Sequence, residues 1–472
     1  MIDIKISVRN IIEFVHRYGD IVSSTMGTSP TRMEEGTRAH VKVQKERVKE
    51  DSSYEKEQYL KYVISFDDIR FTVDGRADGM VKGKYIEEIK STYAPLVDVD
   101  EDYNRLYWAQ VMFYGFMYME EHKTENILLL LTYYNLDTEV TKTFERTYSY
   151  EELKTYVTET IDEYLKYVRE DARWKKERNA SLKEMQFPFL NYRTGQRDLA
   201  VDVYRTIRQG GKLFAKAPTG IGKTISTLFP AVKAIAEGEA DRIFYLTAKG
   251  TLKTVAEEAV EIIKNKGGSV KFLTITSKEK ICLNDEVNCN PDKCTFAEGH
   301  YDRINECILD ILKNERSYSK EMILSYAMKY RVCPFELSLD LTYFSDLIIC
   351  DYNYVFDPRV YLRRFFVDVR ENYIFLVDEA HNLVDRSRDM YSAVLTKDMI
   401  MEAKKAGDKF PYLKRSLTKI NKRFIEMRKV LEEIDGKRNY FGVSDELIFT
   451  LKDFLMAFEI FQKEVREDFE GR

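Results

Sequence analysis

One loop restricts the fold of this 472-residue chain more than any other segment. Residues 217–224, with the sequence APTGIGKT, follow a strand-like apolar run at 213–215 and precede a helix-forming run at 225–236. Backbone N–H groups of such a loop bind phosphates at the start of a helix, while the lysine neutralises charge and the threonine hydroxyl binds Mg²⁺. We predict a nucleoside triphosphate site here; a glycine-rich surface turn is the alternative. Its predicted binding residues are Gly220, Gly222, Lys223 and Thr224.

A second motif supplies the carboxylates that a triphosphate site needs. The apolar run at 373–377 ends in a DEAH sequence at 378–381. At the carboxyl end of a buried strand, Asp378 would hold Mg²⁺ through water, Glu379 would polarise the attacking water and His381 would couple the site to DNA. A solvated helix start is the alternative for this motif alone. Further strand-like runs, which alternate with helical segments and so predict a parallel sheet, lie at 243–247 and 347–350.

Charge and hydropathy limit the class of protein. The 74 Lys and Arg residues against 79 Asp and Glu give a net charge of −5, so any nucleic-acid contact must come from local grooves. The first ten residues are charged where a secretory signal would be apolar, and the longest apolar run, 127–131, is too short to cross a bilayer. We expect a folded cytoplasmic protein without membrane contact; the sequence names no protein partner.

Changes in hydrophobic periodicity divide the chain into three predicted regions, as its length also suggests at about 150 residues per domain. Residues 1–175 mix short helical and strand-like patterns. A charged stretch at 169–183 then precedes an aromatic and proline cluster at 187–189, where we place a boundary. Residues 186–385 have the α/β pattern described above. Residues 386–472 are helical.

Two apolar stripes in the last region predict an antiparallel pair of helices. A short segment containing Gly436 and Gly442 joins them, and Ser444 would cap the second helix. The stripes consist of Leu413, Leu417, Ile420, Phe424, Met427, Leu431 and Ile434, and of Leu447, Leu451, Phe454, Phe458, Phe461 and Val465.

The cysteines are clustered in a way that favours a metal centre over a secreted disulfide framework. All 6 lie at or after Cys282, and four of them fall between the phosphate loop and the DEAH motif. Successive members of this set are separated by 6, 4 and 38 residues, a looser spacing than zinc sites use. Zinc and unrelated structural cysteines are the alternatives to an iron–sulfur cluster. The four are Cys282, Cys289, Cys294 and Cys333.

Several short sequences make residues 186–472 resemble the XPD/DinG family of iron–sulfur DNA helicases. The phosphate loop has the APTGxGKT form of superfamily 2 helicases, with Ala217 in place of the usual first glycine. Cys333 begins the sequence CPFE, and residues 351–358 read DYNYVFDP. These motifs all lie within residues 186–472, and the resemblance implies a RecA-like first motor domain there.

The resemblance to these helicases also implies a cofactor and further site residues. The four cysteines would bind a [4Fe–4S] cluster on an insertion at about 275–340, whereas Cys307 and Cys350 would be buried thiols. Gln196 would read adenine, and translocation would run 5′→3′. Residues 386–472 would form part of a helical arch, and no segment matches the second RecA-like domain, so we expect the chain to be truncated.

A second candidate active site lies in the first region. The sequence GRADG at 75–79, a glycine turn and the sequence YIEEIKST at 85–92 predict a β-hairpin. Alternation along its strands places Glu88 and Lys90 on one face, where Asp78 can join them. Two carboxylates suit Mg²⁺ or Mn²⁺, and the lysine can steady water or charge on phosphorus. A charged hairpin without catalytic function is the alternative.

Two flanking motifs make residues 30–120 resemble the RecB-type PD-(D/E)XK nucleases. Residues 36–40 have the GxxxH form, and residues 110–114 have the QxxxY form, with its two polar residues one helical turn apart. Because no cysteine precedes Cys282, we expect this nuclease region to lack a cluster. The resemblance implies metal binding by His40, Asp78 and Glu88, catalysis by Lys90, and positioning of DNA by Gln110 and Tyr114.

The combined motifs predict an α/β DNA-processing enzyme: an ATP-dependent DNA helicase fused to a metal-dependent DNA exonuclease, in repair or recombination. The expected cofactors are ATP, Mg²⁺ or Mn²⁺, and a [4Fe–4S] cluster, and the expected substrate is single-stranded or forked DNA. The alternative is an ATP-gated DNA-binding clamp or sensor whose nuclease residues are vestigial.

Overall fold

The computed structural model describes residues 2–21, 30–66, 69–218, 220–248, 250–367, 371–432, 442 and 444–470. The chain forms two compact units, Met1–Leu383 and Val384–Arg472. None of the helices in these described ranges combines the length and the hydropathy needed to span a membrane.

The N-terminal part of the first unit is built on a mixed β-sheet. Among the described residues this sheet has six strands in the order β1-β3-β4-β5-β6, with β2 paired to β3. The pairs β1–β3 and β4–β5 are parallel, and the pairs β2–β3, β3–β4 and β5–β6 are antiparallel. The elements are β1 (Ile2–Ser7), α1 (Val8–Val15), α2 (Pro30–Glu50), β2 (Glu55–Phe66), β3 (Ile69–Val81), β4 (Tyr85–Thr92), α3 (Arg105–His122), β5 (Asn126–Asn135), β6 (Thr141–Ser149) and α4 (Tyr150–Glu184).

Helix α4 runs without interruption through the charged stretch that precedes the predicted boundary. It begins at a capping box formed by Ser149 and Glu152, which satisfies the first free N–H groups of the helix. Near its end Trp174 and Arg178 are buried, while the neighbouring Lys and Glu side chains lie in solvent. The charges of this stretch are therefore the exposed face of a helix packed on the rest of the unit.

The second sheet is parallel, as the alternation of strands and helices predicted. Its strand order in the described residues is β10-β7-β9-β8, and every pairing is parallel. Strand β8 was not anticipated, because its three residues carry too little periodicity. This part of the first unit contains α5 (Gln196–Arg208), α6 (Lys223–Ala236), β7 (Arg242–Thr247), α7 (Gly250–Asn265), β8 (Phe272–Thr274), α8 (Lys278–Ile281), α9 (His300–Asn314), α10 (Lys320–Tyr330), α11 (Pro334–Leu341), β9 (Leu347–Asp351), α12 (Asn353–Phe356), α13 (Arg363–Phe366) and β10 (Tyr373–Val377).

The predicted strand at 213–215 is wrong. Residues 211–218 have no regular secondary structure, and the side chain of Phe214 is 92% exposed. Three apolar residues between Lys212 and Lys216 favour a strand locally but do not provide a hydrogen-bonded neighbour. The phosphate loop is therefore preceded by a segment without regular secondary structure, outside the described sheet.

The second unit is helical and contains the predicted antiparallel pair. Its elements are α14 (Leu383–Met390, whose first residue closes the first unit), α15 (Lys397–Ala406), α16 (Pro411–Glu432) and α17 (Asp445–Glu470). Contacts Arg423–Glu446, Lys419–Asp453 and Phe410–Phe461 follow opposite directions along α16 and α17. The joining residue Gly436 lies outside the described residues. Ser444 immediately precedes α17, and its carbonyl accepts from Leu447 and Ile448.

Candidate functional sites

Two glycines of the 75–79 sequence are needed for close packing around the first site. A side chain on Gly79 would overlap the ring of Tyr54, and one on Gly75 would lie 2.8 Å from the ring of Tyr114. These contacts bring β3 close to its neighbours. The sequence around Asp78 is thus explained by packing as well as by chemistry.

Three elements, α2, β3 and β4, bring the predicted nuclease residues together. His40 on α2 lies with Nδ1 3.3 Å from Oδ1 of Asp78 on β3. The other oxygen of Asp78 accepts the backbone N–H of Ile89 on β4 at 2.7 Å. The Nζ of Lys90, also on β4, lies 2.6 Å from Oε1 of Glu88. The predicted hairpin is therefore present, and its turn is formed by Gly83 with φ +72°.

Burial controls the charges of this site. It raises the pKa of Glu88 to about 7, against the opposing charge of Lys90. Burial disfavours charge on Lys90, but Glu88 outweighs it and raises the pKa of the ammonium group. The pKa of the His40 imidazole is also raised, because the hydrogen bond and charge of Asp78 outweigh the effect of burial. Among the described residues the buried Oε2 of Glu88 has no hydrogen-bond partner, so a bound cation would stabilise this carboxylate.

The two residues expected to position DNA are in the interior. Gln110 is 7% exposed, and its Oε1 accepts from Nζ of Lys90 at 2.7 Å. Tyr114 is 5% exposed and packs on Gly75. Both side chains are buried apart from a small exposed fraction, and their positioning of DNA stays a prediction. Their contacts fix Lys90 and β3.

Sequence reasoning missed a buried ion pair that holds α2 to β4. The carboxylate of Glu87 has no exposed surface and accepts from Nε and Nη2 of Arg47 at 3.1 and 3.0 Å. The hydroxyls of Tyr54 and Thr132 also donate to it, at 2.8 and 2.6 Å. Arg47 lies two turns after His40 on α2, so this pair sets the position of the histidine. The sequence signal for this ion pair was that Glu87 directly precedes the predicted metal ligand Glu88.

We expect Arg47→Met to destabilise the protein by about 3 kcal/mol, because it leaves the buried carboxylate of Glu87 without its cation. Urea unfolding measures the change in the free energy of unfolding. Arg9→Met is the matched control, since the Arg9–Glu13 pair is exposed and is expected to contribute less than about 1 kcal/mol. Equal losses in the two variants would contradict the assignment of Glu87 as a buried charge.

The second candidate site lies at the carboxyl ends of β7 and β10. Nζ of Lys223, at the start of α6, is 3.5 Å from Oε1 of Glu379. The hydroxyl of Tyr245 on β7 is hydrogen bonded to both Thr224 and Asp378, and it was not anticipated from the sequence. Burial raises the pKa of Asp378, and the bond from Tyr245 opposes this effect. The phosphate-loop lysine and threonine thus meet the two acidic residues of the DEAH motif.

The remaining predicted nucleotide residues lie around the same loop. Gly220 and Gly222 both have φ +83°, a left-handed conformation that favours glycine. Gln196 is buried against Gly222, and its Oε1 accepts the backbone N–H of Arg193 at 2.9 Å. His381 is exposed, with Nδ1 3.3 Å from Oε2 of Glu379. Thr219 lies outside the described residues.

The four candidate cysteines line one cavity. Nζ of Lys278 donates to Sγ of Cys289 at 3.6 Å, and Nδ2 of Asn284 donates to Sγ of Cys294 at 3.2 Å. The backbone N–H of Cys333 donates to Nδ1 of the buried His300, whose pKa burial lowers to about 4. Thiols that converge on one cavity and receive N–H donors fit the chemistry of an iron–sulfur cluster.

Two observations limit this metal chemistry. In the parts of the chain that the structure describes, no three His, Cys, Asp or Glu side chains already have the arrangement of a metal site. Cys307 and Cys350 are buried apart from the cavity, as predicted, and burial raises the pKa of each thiol to about 12. Metal binding would therefore require the side chains of either candidate set to adjust.

Comparisons with known proteins agree on the helicase-like part of the chain. Residues 248–400 match the DEAD_2 family model. The transcription and DNA repair factor IIH helicase subunit XPD of Dictyostelium discoideum is 22% identical over 278 residues, which cover 52% of this chain and 34% of that protein. A regulator of telomere elongation helicase 1 homolog of Caenorhabditis elegans is 25% identical over 260 residues, covering 46% of this chain and 26% of that protein.

Two solved structures were matched with low TM-scores. An XPD helicase is 21% identical with a TM-score of 0.38, and the match covers 58% of this chain and 48% of that one. A truncated XPD is also 21% identical, with a TM-score of 0.36, covering 56% of this chain and 76% of that one. The matched part of the chain spans about a third of the length of the XPD subunits it matches.

Proposed function

We propose that this chain, a relative of the XPD-like helicases through its DEAD_2 region, joins an ATP-dependent DNA motor to a metal-dependent DNA nuclease that acts in DNA repair. The observation that carries the nuclease is the meeting of His40, Asp78, Glu88 and Lys90 from three separate elements. The observation that supports the motor is the contact between Lys223 and Glu379.

In the nuclease site, His40, Asp78 and Glu88 would hold a divalent cation. That Mg²⁺ or Mn²⁺ ion would polarise a phosphate oxygen and supply hydroxide. Lys90 keeps its proton beside Glu88, so its ammonium group can stabilise negative charge that develops on the scissile phosphate. Gln110 holds Nζ of Lys90 in place and acts on DNA only through this lysine.

In the motor site, the residues of the phosphate loop and the DEAH motif have separate roles. Lys223 would neutralise the terminal phosphates, and its contact with Glu379 supports a role for both side chains beside the same phosphate. Thr224 and Asp378 would hold Mg²⁺, and the hydroxyl of Tyr245 keeps them together. Gln196 would contact the base, His381 would relay the state of Glu379 to DNA, and strand movement would run 5′→3′.

The cysteine cavity is proposed to hold a [4Fe–4S] cluster bound by Cys282, Cys289, Cys294 and Cys333. The donors Lys278 and Asn284 would then stabilise negative charge on the thiolate sulfurs. The helices of the insertion bury apolar side chains such as Ile304, Ile308 and Leu337, so a cluster would organise the cysteine-bearing segments between them. Zinc is the alternative metal for the same thiols.

Degradation of end-labelled single-stranded DNA with Mg²⁺ or Mn²⁺, with and without ATP, tests the proposed fusion of activities. We expect degradation with either metal, none after chelation, and an effect of ATP on duplex or forked substrates that need a motor. Retained DNA binding with no metal-dependent degradation would favour an ATP-gated clamp with a vestigial nuclease site.

A further inference from the structure

A short segment of the nuclease region, residues 17–21, lies directly against the cysteine insertion. The backbone N–H of Ile21 donates to the carbonyl of Ala297 at 2.9 Å, and the N–H of Tyr301 donates to the carbonyl of Gly19 at 2.9 Å. These two bonds run in opposite directions and fix the segment along the backbone of the insertion.

Side chains extend this contact in both directions. The carboxylate of Asp302 accepts the N–H of Gly19 at 2.9 Å, and the carboxylate of Asp20 accepts the N–H of Gly299 at 2.6 Å. Each partner therefore supplies one carboxylate to the backbone of the other. Such reciprocal bonds define a register that nonspecific packing would not require.

Arg17 fastens the start of the segment to two helices of the helicase-like region. Its Nε donates to Asn305 on α9 at 2.7 Å, and its Nη1 donates to Asp340 on α11 at 2.6 Å. Nδ2 of Asn305 returns a bond to the carbonyl of Phe14 at 2.8 Å. Helix α11 begins directly after Cys333, so Arg17 is tied to the element that carries this candidate ligand.

Ile21 ends the segment inside the cysteine site. It is 6% exposed and packs with Cys294 and Ala297, and it lines the same cavity as the four candidate cysteines. An apolar side chain in this position separates the thiols from solvent without competing as a ligand. The nuclease region thus supplies no cysteine to the site but does supply part of its wall.

We propose that residues 17–21 are a structural wall of the cysteine site and that Ile21 shields the group bound there, so the retention of that group depends on the nuclease region. This inference rests on the proposed cluster for the identity of the group. The shielding of Cys294 itself depends only on the contacts of Ile21 and can be measured without any metal.

The experiment compares Ile21→Ser with the conservative Ile21→Val and with Val97→Ser, a control at an exposed valine. Iron and acid-labile sulfide are first measured in anaerobically purified protein. Release of iron to a ferrous chelator is then followed, and alkylation of Cys294 by iodoacetamide is measured by mass spectrometry after metal removal. We expect about fivefold faster iron release and alkylation in Ile21→Ser, because the opening that admits reagents becomes more frequent.

Asp20→Ala is a second variant that keeps Ile21 but removes the bond to Gly299, and the same increase is expected. Unchanged rates in both variants, with a cluster in the parent protein, would overturn the wall and leave the proposed cluster intact. Zinc without sulfide in the parent, with faster alkylation of Cys294 in the variants, would overturn the cluster and support the wall.

Discussion

Lys90→Ala is expected to reduce metal-dependent cleavage of single-stranded DNA by about 10²- to 10³-fold, the usual loss when a charge-stabilising donor is removed from an active site. The ammonium group of Lys90 is held between Glu88 and Gln110 and keeps its proton there. No other lysine contact to Glu88 or Gln110 is present among the described residues. Initial rates at saturating Mn²⁺ or Mg²⁺ measure the effect.

Two controls separate this chemistry from folding and from the motor. Lys84→Ala removes an exposed lysine of the same hairpin, whose partner is Asp51, and should cleave as the parent does. Lys223→Ala lies outside the hairpin and should also cleave, with either metal. Parental cleavage by Lys90→Ala, or cleavage that continues without any divalent metal, would leave a charged hairpin as the explanation of these residues.

The sequence predicted the parts of both sites that depend on short-range pattern. Alternation along β3 and β4 placed Asp78, Glu88 and Lys90 together, and the structure has them in that arrangement. The strand before the DEAH motif was predicted at its observed bounds, Tyr373–Val377. These features follow from the periods of strands and helices, which a single sequence records.

The errors and omissions concern contacts between distant segments. Gln110 and Tyr114 have the expected helical spacing, but the sequence does not say that their helix is enclosed on both faces. The bond from Tyr245 to Thr224 and Asp378 joins three positions that no local motif connects. The run at 213–215 shows the converse, since local strand propensity was present without a partner strand.

The contact of Ile21 with the cysteine cavity is of the same kind. About 270 residues separate Ile21 from Cys294 in the sequence, and an isolated isoleucine carries no functional signal. Because helix α4 and residues 17–21 both pack on the helicase-like part of the first unit, the two predicted activities share one folded body. Changes in one site therefore need to be checked in the other.

Glu379→Gln is expected to bind ATP but to hydrolyse it about 10²-fold or more slowly, because water orientation requires the carboxylate. Lys223→Ala should instead weaken nucleotide binding, since its ammonium group neutralises the terminal phosphates. Binding of a fluorescent ATP analogue and release of phosphate with DNA present distinguish the two effects.

The matched control for this pair is Glu258→Gln, an exposed glutamate on α7, which should behave as the parent in both assays. Neither motor variant should change metal-dependent cleavage of single-stranded DNA, because the hairpin bearing Lys90 is not part of the phosphate site. Hydrolysis at the parental rate by Glu379→Gln would contradict the role given to this carboxylate. The contact of Lys223 with Glu379 would then be an ion pair that stabilises the loop in the absence of nucleotide, and the attacking water would have to be oriented by another acidic residue.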